Sequence, residues 1–576
     1  MKNIYKFSWM LCLGAIAFTA CQEDNEAEAS TDFTGISGSA VSVLRGTTAT
    51  VSVDVFASSE SATLTANGSA VSIGSDGTAS VDIDIPAGDV VGTTYDVNWV
   101  LTSGSSTDEF TSSVTLVAGG TEPLVTTFGN FTSIEVDHLL SSTDILSTGD
   151  GSGTFQLAGS ADGAGMVVNP TTGNFELLVN CEDHYSVARV TLDQNLTVLH
   201  ADYLLNSSVA DFARQCSGTM WEAAIHGGSS DMFISSSESF NFVSRGIDPF
   251  LTNIDPDGDY NLDALGQFAW ENNVPLPQGT YAGRTVIIGG DDDSSGSEGQ
   301  VALYYSAAGD ADFTGGNIYV LKIAGATSVM TEEDLNFGQE YDVEFVQIPN
   351  GASLTKNEME DASVAALSLQ FMRVEDLDYG KGSDEAGRTI FFAVTGRGPG
   401  RGTYNDWGTG YKLVLDANSP LTGKLTQVLS GNTTGINNGD GNAPLLQSPD
   451  NIVVTENYVY WQEDPNSFSR NHQAYIWQTD WDGNNLTEVL QIDYNLALDQ
   501  IDGNLDSDGL NGEFGAMFDI SDKVGEDGTF ILALQPHYWR DDTYSGIDGH
   551  DLGIPPGFPG EDNQGSQLVI LRNVPR

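Results

Sequence analysis

An all-β fold, a β-propeller preceded by a small β-sandwich, is what this sequence predicts, on three observations. Runs rich in Val, Ile, Tyr and Phe are short and are broken by Gly, Asn, Asp and Ser, the pattern of strands and turns. The chain has 576 residues, too many for one ordinary core, and 65 of them are glycine. Beyond residue 123 a loose refrain of glycine turn, polar pair and strand keeps returning, as in GRTVIIGGD (283–291), GGNIYVLKI (315–323), GRTIFFAVTG (387–396), AYIWQTDWDG (474–483) and GSQLVILR (565–572). Returns of this kind suggest blades of about four strands in about 40–50 residues, and the span to residue 576 holds about six of them with insertions.

The elements follow in chain order. Lys2 and Lys6 precede the apolar segment WMLCLGAIAFTA (9–20), which is too short for a membrane span and ends in small residues before a cysteine, as a signal peptide does. Residues 1–20 therefore read as a signal peptide. Phe18-Thr19-Ala20-Cys21 resembles the bacterial lipoprotein processing box, with Phe18 in place of the usual leucine; lipid on Cys21 would anchor the chain with no transmembrane helix. The following QEDNE resembles the acidic tag of surface-exposed Bacteroidota lipoproteins, which implies an outer-membrane lipoprotein facing outward; a merely hydrophilic linker is the other reading. After an acidic tether at 21–33, residues 34–120 carry alternating strands such as TVSVDV (50–55), YDVNWVL (95–101) and SSVTLVA (112–118). They read as an Ig-like sandwich acting as a spacer. Residues 123–576 form the propeller.

Charge narrows the function. Lys and Arg number 21 against 81 Asp and Glu, a net charge of -60 that repels nucleic acid and anionic headgroups, so the membrane enters only through the lipid anchor. The sequence has no GxSxG elbow, Walker loop, HExxH helix or paired CxxC, which removes the usual support for serine hydrolases, nucleotide hydrolases and zinc sites. Seven histidines are few for a histidine-rich metal site, whereas oxygen ligands for calcium abound.

Two loops place oxygen donors at every second residue and are candidate calcium loops: DPDGDYNLD, with Asp255, Asp257 and Asp259, and DQIDGNLDSDGLNGEFG, with Asp502, Asn504, Asp506 and Asp508. Solvated Asx-turns are the plainer reading of both. A second set of acids sits beside strands: NCED (180–183), GGDDD (289–293), RVED (373–376), PDN (449–451) and WQED (461–464). Propeller strands meeting at a central channel would bring them together as a polynuclear metal site. Of the four cysteines, Cys181 and Cys216 lie outside the leader and the anchor; a disulfide between them is expected in an oxidising compartment, with thiolate metal ligation as the alternative.

The order of ELLVNCEDHYSVARVTLD, CSG (216–218), GQFAWE (266–271), GRTVIIGGDDD, FMRVED, SPDNIVV, VYWQED, GEFG (512–515) and ILALQPHYW resembles the PhoX-type alkaline phosphatase family over roughly residues 125–575. That resemblance implies a propeller with a central calcium and iron cluster hydrolysing phosphomonoesters. Carried over residue by residue, it implies Glu182, Asp291, Asp293, Glu375 and Glu513 as metal ligands and Arg373 as the guanidinium on the phosphate. The segment holding the family's iron-binding cysteine matches FISSSES (233–239), where serines replace the thiolate and Glu238 is kept, so iron would need Cys181 or Cys216. The expected function is a surface-anchored, calcium-dependent phosphoesterase acting on a small phosphoester. The alternative is a non-catalytic calcium-binding propeller that binds or assembles with a surface protein partner.

Overall fold

The computed structural model describes residues 34–43, 48–57, 61–86, 88–119, 121–210, 214–238, 242–253, 255, 258–293, 299–307, 313–398, 404–432, 441–465, 468–470, 472–493, 512–550 and 562–576. Two compact units emerge: Met1–Ala40 with Thr50–Asp82 and Asp96–Ser113, and Val41–Ala49 with Ile83–Tyr95 and Val114–Arg576. Among the described residues no helix is long and apolar enough to cross a membrane.

The first unit draws on a three-stranded sheet ordered Thr34–Gly38, Thr48–Ala57, Thr78–Asp84, and on a second sheet whose neighbours run Ser106–Leu116, Thr94–Ser103, Thr63–Ala66, Ser69–Val71. Strict alternation of buried and exposed residues along Thr48–Ala57 puts Val51 and Val53 inside and Ser52 and Asp54 outside. Trp99 is fully buried, and its indole N–H donates to Ser112 Oγ at 3.0 Å, so the ring brings no unsatisfied donor into the core.

The second unit is the propeller. Among the described residues five sheets make six blades, the third and fourth being the two halves of one nine-stranded sheet, and the innermost strands are Ala161–Val168, Gly218–Trp221, Trp270–Pro275, Val374–Tyr379, Pro449–Val454 and Gly512–Asp519. Each innermost strand lies against the next, and the last lies against the first, which closes a ring. Outward from the first run Phe175–Cys181, Ser186–Leu192 and Val198–Leu205, all antiparallel. The third and fourth blades share an outer strand, Glu340–Gln347, which pairs with Asn317–Ile323 on one side and Ser419–Ser430 on the other. The ring is fastened by early strands: Val125–Thr127 adds an edge to the fifth blade at Thr487–Ile492, and Glu135–Ser141 adds one to the sixth at Gln567–Arg572. This pairing buries edges that would otherwise template aggregation.

Apolar clusters lie between successive blades. Leu177, Val179, Ala188 and Val190 of the first blade pack with Ile531, Ala533, Leu568 and Ile570 of the sixth, all nearly or fully buried. Close approach of the inner strands demands small residues: a Cβ on Gly163 would lie 2.1 Å from the backbone N of Gly218 in the next blade.

Candidate metal centre

One local motif repeats around the ring. In each of five blades the residue just past the second strand donates its N–H to a carbonyl two residues before an inward-facing position of the inner strand. The pairs are Glu182 to Ser160, Glu238 to Arg214, Asp292 to Ala269, Thr395 to Arg373 and Asp464 to Ser448. Two residues after those carbonyls stand Asp162, Cys216, Glu271, Glu375 and Asp450. The motif thus delivers two side chains per blade to the same end of the channel. Ser160, Arg373 and Ser448 take positive φ of 52°, 67° and 40°, a conformation that is uncommon for residues with a side chain and that clusters at functional sites.

Register shifts complete the aim. The innermost strands pair with their neighbours through a bulge between Ala161 and Ala164, Trp270 and Asn273, Val374 and Leu377, and Pro449 and Ile452. Asp162, Glu271, Glu375 and Asp450 sit inside those bulges, where an extra residue turns a side chain out of the regular pleat.

The outcome is a continuous basin of donors. Among the described residues, five overlapping groups have ligand atoms within 4.8 Å of one another: Asp162 with Glu182 and Cys216; Cys216 with Glu238 and Glu271; Glu238 with Asp292 and Glu375; Glu271 with Glu375 and Asp450; and Asp450 with Asp464 and Glu513. Beneath them, neutral side chains tie one blade to another, two of the three bonds crossing the channel. Asn451 Nδ2 donates to Asp162 Oδ1 at 3.0 Å, Ser217 Oγ donates to Asn451 Oδ1 at 2.9 Å, and Asn272 Nδ2 donates to Asp376 Oδ1 at 2.7 Å. Such outer partners fix the orientation of a ligand set.

The charges do not balance. Burial pushes Asp162, Glu271 and Asp450 well above the usual carboxylate range, and the neighbouring carboxylates push them further. Burial raises Asp292 to about 7 despite Arg373, and burial with Asp464 beside it raises Glu513 to about 7 despite His537. Burial also opposes the His537 cation, but its bond to Glu513, 2.9 Å from Nε2, lifts it to about 9. Burial raises the Cys216 thiol well above its ordinary value, with Glu238 and Glu271 adding to the effect. Glu238 is held low against its burial, because Arg214, a hydrogen bond with Asp292, Arg373 and a hydrogen bond with Cys216 act on it together.

The sequence-derived residues divide sharply. Glu182, Glu238, Glu375 and Glu513 lie in the basin. Asp291 and Asp293 do not. Strand alternation turns them away from it, toward Gln300, whose Nε2 lies 3.4 Å from Asp291, and Lys356, whose Nζ lies 2.5 Å from Asp293; the strand presents Asp292 to the basin instead. The expected disulfide does not form: both cysteines are free and buried. Cys181 packs into the apolar cluster between the first and sixth blades, where burial pushes its thiol up to about 12, whereas Cys216 faces the acids. Of the loop at 255–263, Asp255 and Asp259 are exposed, and Asp259 Oδ1 accepts from the Asn261 N–H at 3.2 Å as in an Asx-turn; among the described residues neither joins a donor group. Asp257, the loop residues Asp502, Asn504, Asp506 and Asp508, and Cys21 lie outside the described residues. Arg373 borders the basin, its Nε 2.6 Å and one terminal nitrogen 3.0 Å from the two oxygens of Asp292, with that terminal nitrogen 3.1 Å from Glu375. Asp162, Glu271, Arg214 and His537 had not been singled out. Their signal is the repeated spacing around the second strand's end, which is visible only once blades are aligned on one another.

No family model matches the chain, and no curated protein matches it. Among solved structures, a quinoprotein alcohol dehydrogenase-like protein from Bacteroides thetaiotaomicron is similar at 13% identity over 79% of this chain and 96% of that one, with a TM-score of 0.27. The polysaccharide lyase Uly1 is similar at 10% identity over 73% of this chain and 91% of that one, with a TM-score of 0.31. The propeller rests on this chain's own ring of blades.

Proposed function

We propose that the basin is a polynuclear centre for calcium, with iron where a thiolate is required, and that the protein is a phosphoesterase of the PhoX type acting on small phosphomonoesters. The observation that carries this reading is the unbroken run of donor groups contributed by all six blades, buried beside the guanidiniums of Arg214 and Arg373. The donors fit hard cations. Nine carboxylates and one thiol face Arg214, Arg373 and His537, and Asp162, Glu271, Glu375 and Asp450 have their proton affinity raised by burial first and by the neighbouring carboxylates second. Cys216, shared by two of the groups, offers the soft ligand that iron would use.

When bound, such cations supply Lewis-acid polarisation of a phosphoryl group and a more acidic water. The chain's own residues do the remainder. Arg373, seated on Asp292 and Glu375, holds a positive charge at the basin wall where charge accumulates on phosphoryl oxygens. The Ser217 backbone N–H and the Asn451 side-chain amide donate to Glu271 and Asp162 and so fix how those two carboxylates face the basin. The lipid anchor on Cys21 and an outward-facing location in the outer membrane belong to the same proposal.

Elemental analysis of the purified protein, with hydrolysis of a generic phosphomonoester measured with and without calcium on the same sample, tests it. Metal together with turnover that Glu375→Gln abolishes is the expected result. Metal without turnover would instead make this a calcium-stiffened binding or assembly propeller, a reading that the serines at 235–237 favour; neither metal nor turnover would end both.

A further inference from the structure

Arg373 was the one guanidinium that sequence reasoning assigned to the substrate, yet it has an exact positional counterpart in the ring. Its carbonyl accepts from the residue ending the second strand, Thr395, and the basin ligand Glu375 follows two residues later. In the second blade the same place is held by Arg214: its carbonyl accepts from Glu238 at 3.2 Å, and Cys216 follows two residues later. The other three blades with this motif carry Ser160, Ala269 and Ser448 there. Two arginines thus stand on the second and fourth blades, on either side of the third.

Their surroundings differ. Arg373 presents its Nε edge to Asp292 as a two-pronged pair and reaches Glu375 as well, with 21% of its side chain exposed. That edge is the one best shaped to grip two phosphoryl oxygens, and here it is committed to a carboxylate. Arg214 has 34% of its side chain exposed and faces Glu182, Asp183 at 3.8 Å and Glu238 at 3.3 Å. Glu182 and Glu238 are themselves basin donors, so cations in the basin compete with Arg214 for them. Each such contact given up returns guanidinium N–H donors to an incoming anion.

We propose that Arg214 is the principal substrate-binding guanidinium, that it and Arg373 receive the oxygens of a terminal phosphoryl group from two sides, and that this pair selects dianionic phosphomonoesters over monoanionic diesters. The proposal rests on the phosphoesterase reading and deepens it. A terminal phosphoryl group has three unesterified oxygens and two charges to share between two guanidiniums. A diester has two such oxygens and one charge, so the second arm does less for it.

The test uses the full chain loaded with metal, as wild type, Arg214→Ala and Arg214→Lys. Metal content is read by elemental analysis, inorganic phosphate binding by titration calorimetry, and hydrolysis with a nitrophenyl monoester and a bis-nitrophenyl diester. With metal content unchanged, Arg214→Ala is expected to weaken phosphate binding at least about tenfold, to lower monoester kcat/KM about a hundredfold, and to lower the monoester-to-diester ratio about tenfold; Arg214→Lys, keeping charge without the fork, falls between. Wild-type turnover with unchanged phosphate binding and ratio in Arg214→Ala overturns the clamp and leaves the phosphoesterase reading standing. Loss of metal from both variants overturns it too, since Arg214 would then only hold the carboxylates in place. A metal-loaded wild type that neither binds phosphate nor turns over either ester removes the phosphoesterase reading and the clamp together.

Discussion

Two acid clusters lie back to back across the end of the strand Thr285–Asp291, and they solve the same electrostatic problem in opposite ways. On one side Asp291, Asp293 and Glu360 surround the Lys356 ammonium, 2.5 Å from Asp293 and 3.0 Å from Glu360, with Gln300 donating to Glu360 at 2.9 Å. On the other side Asp292 joins a basin whose acids outnumber its arginines and histidine. The first cluster carries its own cation inside the fold, while the second, on the proposed reading, recruits one. A third solution appears at Glu332, buried without a cation, where burial raises the carboxyl to about 7 against hydrogen bonds from Asn405, Thr409 and Tyr411. Acid count therefore says little by itself; what stands beside each buried acid, an ammonium, hydrogen-bond donors or further acids, decides how its charge is handled.

Breaking the self-contained cluster should have the largest effect. Lys356→Met leaves buried carboxylates facing each other and is expected to cost about 3–5 kcal/mol in denaturant unfolding; a loss below about 1 kcal/mol would show that these acids are already protonated. Next comes the basin. Chelation at pH 8 should lower stability by about 2.7 kcal/mol for each site held at a hundredfold excess over its Kd, with the melting temperature restored by calcium, and an indifferent melt would sink the metal reading.

Glu332 sharpens the contrast through pH. Its folded-state value of about 7 exceeds the ordinary 4.5, so the folded protein binds the extra proton and stability falls as pH rises from about 4.5 to about 7. Glu332→Gln should remove that fall, gaining about 3 kcal/mol at pH 8 and nothing at pH 4; equal effects at both pH values would mean that the carboxylate is not the cause. The smallest effect is expected at the other end of the inner strands, around a cavity of about 440 Å³ lined by residues including Met166, Met220, Ile452 and Met517. Each cation there has a carboxylate partner: Lys381 lies 2.6 Å from Asp378, Lys523 2.6 Å from Glu222, and Arg576 2.6 Å from Asp519. Partly exposed pairs contribute little, so Lys381→Met should cost about 1 kcal/mol and be blind to calcium, which thermal melts with and without the ion would check.

Much of the architecture was legible because period-two strands and glycine turns recur at blade spacing. The site was legible only as stretches. GGDDD and WQED announced acids at strand ends, but a one-residue change of register exchanges the faces, and so Asp291 and Asp293 were chosen where Asp292 reaches the basin. Asp162 lies in the small-residue stretch AGSADGAG (158–165) with nothing to mark it, and its place in the basin comes from a bulge that no local pattern announces. The Cys181–Cys216 bond was inferred from compartment and count; in the fold one thiol belongs to a dry interface and the other to the channel. The sequence around Arg214 does not hint at Glu182 or Glu238, because the fold brings them together from a distance.

Because five blades hold their donors with a carbonyl contact of their own, and four of the five with a bulge as well, the centre is modular in the way that interchangeable sockets are. Exchanging one occupant, a thiol at 216 or a hydroxyl at 395 for a carboxylate, leaves the backbone of the other sockets untouched. Metal preference can then drift blade by blade across generations while the frame persists, and a chain that keeps the frame can change its chemistry through a single codon.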